Sequence, residues 1–143
     1  MQKVKGNRGD LPRPDPRSPI SKLLRSFYFA AQGIAHTFRT QPNARIEAAV
    51  AGIIVILGAW LRVDRTQWAI LVVCIGLVLG LEILNTGIEA LVDLASPDHH
   101  PLAKVAKDAA AGAVFWAAIL SVIVGLLILG PPLWGKVGDL LIR

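Results

Sequence analysis

Three carboxylates and an asparagine interrupt the apolar stretch "LEILNTGIEALVD" (81–93): Glu82, Asn85, Glu89 and Asp93. They follow fourteen residues, Trp68 to Leu81, that carry no charged or strongly polar side chain. On a helix at 100° per residue, with Glu82 as zero, Asn85 falls at about −60°, Glu89 at −20° and Asp93 at +20°. All four share one stripe. A rise of about 1.5 Å per residue puts Glu82 roughly 21 Å along the helix from Trp68, and Glu89 roughly 32 Å along. Against a hydrocarbon layer about 30 Å thick, Glu82 lies inside it and Glu89 at its boundary. Ionisable groups at such depth are costly to insert and mark function more often than packing. The deep carboxylate suits a general base, and the shallow one a cation ligand. The plain alternative is a Glu82 hydrogen-bonded to a neighbouring helix.

Such a stripe needs helices to hold it, and the composition supplies them. The chain has 143 residues, 54% hydrophobic and 17% charged, too apolar for an ordinary soluble domain of this length. The expected fold is an all-α membrane protein: an N-terminal amphipathic surface helix and three transmembrane helices, with the site completed by a second subunit. Residues 1–20 are rich in Pro, Arg and Asp and read as a disordered basic tail. Residues 21–134 form the membrane domain, with Ser21 as helix cap and a basic amphipathic helix over 22–39. The spans run over 45–61, 68–94 and 102–130, with "RVDRTQ" (62–67) a polar turn between the first two. Pro131 and Pro132 end the third span, leaving a short C-terminal tail over 135–143.

Nine of the fifteen Lys and Arg residues precede Ala48. Ahead of hydrophobic spans, that bias reads as a cytoplasmic flank in the inner membrane rather than nucleic-acid binding. Trp60, Trp68 and Trp134 then share the opposite interface. Gly76 and Gly80 form a GxxxG pair away from the carboxylates and suggest a close-packing face, as do Ala109, Gly112, Ala113 and Ala117 on the third span. Cys74, the single cysteine, excludes an intrachain disulfide and reads as a packing residue. "GPPLWGKV" (130–137) spells a phosphate-loop pattern, but Val137 replaces its hydroxyl residue and no strand precedes it.

"EILNTGIEALVD", followed by "AKD" (106–108), closely resembles the prokaryotic diacylglycerol kinase and undecaprenol kinase family. The resemblance covers about residues 20–130. It implies a homotrimeric membrane enzyme that moves the γ-phosphate of Mg-ATP to a lipid alcohol. It places the general base on Glu82 and a metal ligand on Glu89, with Asn85 and Asp93 as signature positions around them. Nucleotide contacts fall on Lys107 and Asp108, on the loop residues Asp98, His99 and His100, and on Lys22. Arg45 and Glu47 match positions lining the lipid site. The family's second metal-binding glutamate aligns with Gln41, whose amide oxygen can ligate Mg²⁺ but brings no charge. "SPDHHPLAKVAKDAAAGAV" is more similar to undecaprenol kinases and favours undecaprenol over diacylglycerol. The alternative from another class is a membrane subunit relaying protons or cations through the same carboxylates.

Overall fold

Each polar break in the sequence becomes a helix boundary with a local cause. A computed structural model of the chain describes residues 18–96, 98 and 100–141, without the side chains of Leu140 and Leu141. The tail over 1–17 and His99 lie outside the described residues. Four helices follow: α1 (Pro19–Thr40), α2 (Pro42–Leu61), α3 (Arg65–Ala95) and α4 (Pro101–Leu141). Three of them, α2, α3 and α4, are long and apolar enough to cross a membrane. At about 1.5 Å per residue, α3 and α4 outrun a hydrocarbon layer about 30 Å thick, so their ends reach the headgroups and water.

Helix α1 begins three residues before the expected start. Pro19 sits at its first positions, where a missing N–H is harmless, and Ser18 rather than Ser21 is the N-cap. Ile20, Leu23, Leu24 and Phe27 stay more than half exposed, as an interfacial helix requires. Gln41 alone separates α1 from α2, with extended backbone. Arg45 fixes that corner: its guanidinium donates to the carbonyls of Phe38 (2.7 Å) and Arg39 at the end of α1.

The α2–α3 turn is tighter than the expected 62–67. Arg62 takes the left-handed conformation as the C-cap of α2. Asp64 caps α3, accepting from the backbone of Thr66 (2.7 Å) and Gln67 (2.9 Å), while the Gln67 side chain accepts from Asp64 N–H in return. This capping box starts α3 at Arg65, three residues ahead of Trp68. Gly58 makes the turn possible, because a Cβ there would lie 3.0 Å from the Trp68 ring.

Two expectations fail. Pro131 and Pro132 lie inside α4, which continues to Leu141, so no separate C-terminal tail begins at 135. Gly130 has no Cβ for the Pro131 ring to strike. Beyond the prolines, Leu133 packs on the hydrophobic core and Lys136 donates to Trp60 O at 2.7 Å, so tertiary contacts override the local stop. That bond, with Lys136 also 4.5 Å from the Trp60 ring centroid, disposes of the phosphate-loop pattern: the segment is helical and its lysine is engaged. The close-packing face expected at Gly76 and Gly80 likewise finds no partner among the described residues: a Cβ at either would meet nothing within 4 Å. Ala109, Gly112 and Ala113 are not buried either. Of the small residues singled out on α4, Ala117 is the one buried within the chain.

The hydrophobic core joins Leu61, Leu71, Ile128 and Leu129 beside the α2–α3 turn. Trp60, Trp68 and Lys136 meet at that end. At the other end, the α1–α2 corner meets the last turns of α3 through Gln41. The fold thus has an apolar end and a polar end.

Candidate functional site

The buried face of α3 is one stripe. With Glu82 as zero, Leu71 lies at about −20°, Val78 at −40°, Asn85 at −60° and Thr86 at +40°. All five are buried. The stripe is hydrophobic towards the tryptophan end and polar towards the α1–α2 corner. Glu82 is 3% exposed, yet among the described residues its carboxylate has no hydrogen-bond partner, so the interhelical bond expected of a structural glutamate is missing. Glu89, about two turns further on, is half-buried and held on both oxygens. Gln41 Nε2 donates to Oε2 and Asn85 Nδ2 to Oε1, each at 3.0 Å.

Glu82 lies within electrostatic range of Glu89 on its own helix and of Glu47 on α2. Two acceptors here are buried without a donor among the described residues: Glu47 Oε2 and Asn85 Oδ1. Below Glu47 opens an apolar cavity of about 460 Å³, walled by α2, α3 and α4 through Val50, Ile54, Cys74, Val78 and Leu126. Cys74 is therefore a wall residue of that cavity. A hydrocarbon chain fits such walls, and a hydroxyl group brings one donor hydrogen to this polar rim.

Beyond Glu89, Lys107 Nζ meets Asp93 Oδ1 at 2.5 Å across the α3–α4 connection. Asp108 turns instead to Lys104 on its own helix, so the adjacent Lys107 and Asp108 serve different ion pairs. His100 Nδ1 accepts from Leu102 N–H at 3.2 Å and caps α4, and the Asp98 carbonyl accepts from Ser96 Oγ at 3.0 Å. Lys22 stands apart. It lies nineteen residues before Gln41 along α1, roughly 28 Å at the helical rise, so a single chain does not bring it to Glu89.

Sequence reasoning passed over Thr86, Thr37 and Lys104. Thr86 Oγ1 donates to Glu82 O at 2.9 Å, and its spacing of four from Glu82 already placed it on the stripe. Thr37, 2% exposed, sits in the last turn of α1 and accepts the Gln41 N–H on its carbonyl. Its burial depends on the α1 corner, which no local pattern announces.

The donor set around Glu89 fits a hard cation such as Mg²⁺: one carboxylate and two reversible amides, of which Asn85 has a buried oxygen with no donor among the described residues. Among the described residues no three His, Cys, Asp or Glu side chains gather into a metal cluster, so Glu89 would act with neutral partners.

The prokaryotic diacylglycerol kinase family profile matches residues 28–129, which contain the whole stripe, Gln41 and Lys107 but not Lys22. An undecaprenol kinase of Bacillus subtilis is 45% identical over 119 residues, covering 83% of this chain and 97% of that protein. A diacylglycerol kinase of Synechocystis is 40% identical over 130 residues, covering 85% of this chain and 74% of that protein. The diacylglycerol kinase of Escherichia coli K12 is 29% identical over 110 residues, covering 77% and 90%.

Proposed function

Because the chain belongs to the prokaryotic diacylglycerol kinase family and is thereby a lipid kinase of the membrane, we propose that it transfers the γ-phosphate of ATP to the hydroxyl of undecaprenol. The observation that carries this reading is the buried Glu82, whose carboxylate makes no hydrogen bond among the described residues, set between an apolar cavity and a solvent-reaching cluster. The lipid tail lies in the cavity and its hydroxyl reaches Glu82. The carboxylate takes the hydroxyl proton while the alcohol oxygen attacks the γ-phosphorus. One P–O bond forms, the bond to the β-phosphate oxygen breaks, and ADP leaves.

Glu89 would hold Mg²⁺ with water beside it, and the ion would neutralise charge on the phosphates. Asn85 orients Glu89 through its amide. Lys107 and Lys22 offer their charge to the nucleotide, Asp98, His99, His100 and Asp108 contact it, and Arg45 and Glu47 flank the lipid. Positioning and electrostatics supply most of the acceleration in phosphoryl transfer, and this arrangement provides both. Undecaprenol is favoured over diacylglycerol by the 45% identity to an undecaprenol kinase across nearly all of that protein.

The polar end faces the cytoplasm in this reading, since Arg39, Arg45, Lys104 and Lys107 lie at that end and Lys22 and Arg25 precede it on the surface helix. The enzyme then resides in the cytoplasmic membrane with its N-terminus inside. Open space beside Gly76 and Gly80 suits further copies of the chain, as a homotrimer would supply. The test is ³²P transfer from labelled Mg-ATP to undecaprenol by the purified chain in detergent. Glu82→Gln lowers the rate by about 10²- to 10⁴-fold, the usual worth of a general base. Labelling of no lipid alcohol by the unsubstituted chain overturns the function; near-normal turnover of Glu82→Gln overturns the base.

A further inference from the structure

Both oxygens of Glu89 are already occupied by amide donors, Gln41 Nε2 on Oε2 and Asn85 Nδ2 on Oε1. An ionised carboxylate only accepts hydrogen bonds, so each amide must present its nitrogen and turn its oxygen away. A divalent cation needs those same carboxylate lone pairs and is repelled by N–H groups. Cation and donors therefore compete for one group. Among the described residues no Lys, Arg or His pairs with Glu89, so the amides are what holds it in the absence of a cation.

The two amides differ in how they can yield. Asn85 lies one turn away on the same helix, and its Oδ1 is buried with no donor among the described residues, so reversing the amide sacrifices no bond at that oxygen and turns it towards Glu89. Gln41 comes from outside α3, at the one extended residue between α1 and α2. Its backbone is fixed there, because its N–H donates to Thr37 O at 2.8 Å and Arg45 pins the corner. Its side chain has three rotatable bonds and no second anchor, so it leaves Glu89 without disturbing the helices.

We propose that Gln41 is a positioning residue that competes with the cation for Glu89: it holds the carboxylate until the cation arrives and then withdraws, leaving the vacated direction to water. This rests on the reading of Glu89 as the cation-holding residue. Competition lowers the cation's apparent affinity, so removing the competitor must raise it, whereas removing a ligand must weaken it. A residue with a merely structural role produces no tightening.

Mn²⁺ binding to the purified full-length chain in nanodiscs, followed by electron paramagnetic resonance without nucleotide, separates these outcomes. Gln41→Met, close in shape, and Gln41→Ala, which frees the space, both bind Mn²⁺ at least threefold more tightly than the unsubstituted chain. Should one variant fail to fold, as judged by helical circular dichroism, the other decides. Unchanged or weakened binding in the folded variants overturns the proposal while leaving Glu89 as the cation residue, provided Glu89→Gln loses binding by tenfold or more. Full Mn²⁺ affinity in Glu89→Gln overturns the reading of Glu89 itself, and the competition with it.

Discussion

Lys107→Met separates a structural ion pair from a nucleotide contact. Lys107 meets Asp93 at 2.5 Å, but the two side chains are 37% and 66% exposed, so solvent screens their attraction. Exposed pairs contribute about 0–1 kcal/mol, and loss of the pair should cost the fold no more than that. A hydrogen bond to a charged phosphate is worth about 1.5–3 kcal/mol, which at 1.4 kcal/mol per decade is roughly ten- to hundredfold in apparent affinity. Lys107→Met should therefore raise KM for ATP by about that factor with little change in unfolding. Asp93→Asn removes the same ion pair but keeps the lysine, and should leave KM for ATP unchanged or lower it. Steady-state kinetics at saturating undecaprenol, paired with unfolding in mixed micelles, measures both quantities. A KM within threefold of normal in Lys107→Met, with kcat also unchanged, refutes the nucleotide role and leaves only the ion pair.

Gly58→Ala puts a Cβ 3.0 Å from the Trp68 ring, a rigid neighbour, and should cost about 1–3 kcal/mol of stability by denaturant titration in micelles. Lys136→Met loses the bond to Trp60 O and the ring contact, and should cost about 1 kcal/mol while phosphate transfer stays normal. An ATP-dependent defect there would revive the phosphate-loop reading. Reconstituted in liposomes, the chain should pass neither protons nor cations, because beyond Glu82 the buried stripe continues as Val78 and Leu71; measurable flux would restore the transport alternative.

The spans and the stripe were legible because they rest on local periodicity. Glu82, Asn85 and Glu89 share one face at any helical pitch near 100° per residue, and the structure joins Asn85 to Glu89 along it. The end of α4 was not legible. Two prolines argue locally for a stop, and only Leu133 on the core and Lys136 on Trp60, contacts to residues far away in sequence, carry the helix through. The helix starts erred for a similar reason: hydropathy marks where lipid begins, whereas caps such as Asp64 and prolines such as Pro42 set where the helix begins. The GxxxG pair reads from periodicity as a packing face, but no described residue of the chain packs against either glycine. Gln41 was visible as an amide near the first span; that it donates to Glu89 depends on the α1–α2 corner, which only the fold creates.

The division of the fold into an apolar end and a polar end bears on how the site can exist at all. Leaving Glu47 Oε2 and Asn85 Oδ1 buried without donors costs roughly 1–3 kcal/mol each. A lone glutamate beside them, with Glu89 in electrostatic range, adds to that cost. The polar end offers little hydrophobic burial in compensation: Ala44 is buried there, whereas Leu61, Leu71, Ile128 and Leu129 pack at the other end. One end of the bundle thus supplies stability that offsets preorganisation at the other, a separation seen where function requires unsatisfied groups. In the proposed reaction the substrate eases the imbalance. Its chain fills the apolar cavity, its single O–H turns to Glu82, which takes the proton, and Glu47 and Asn85 lie beside the reacting oxygen.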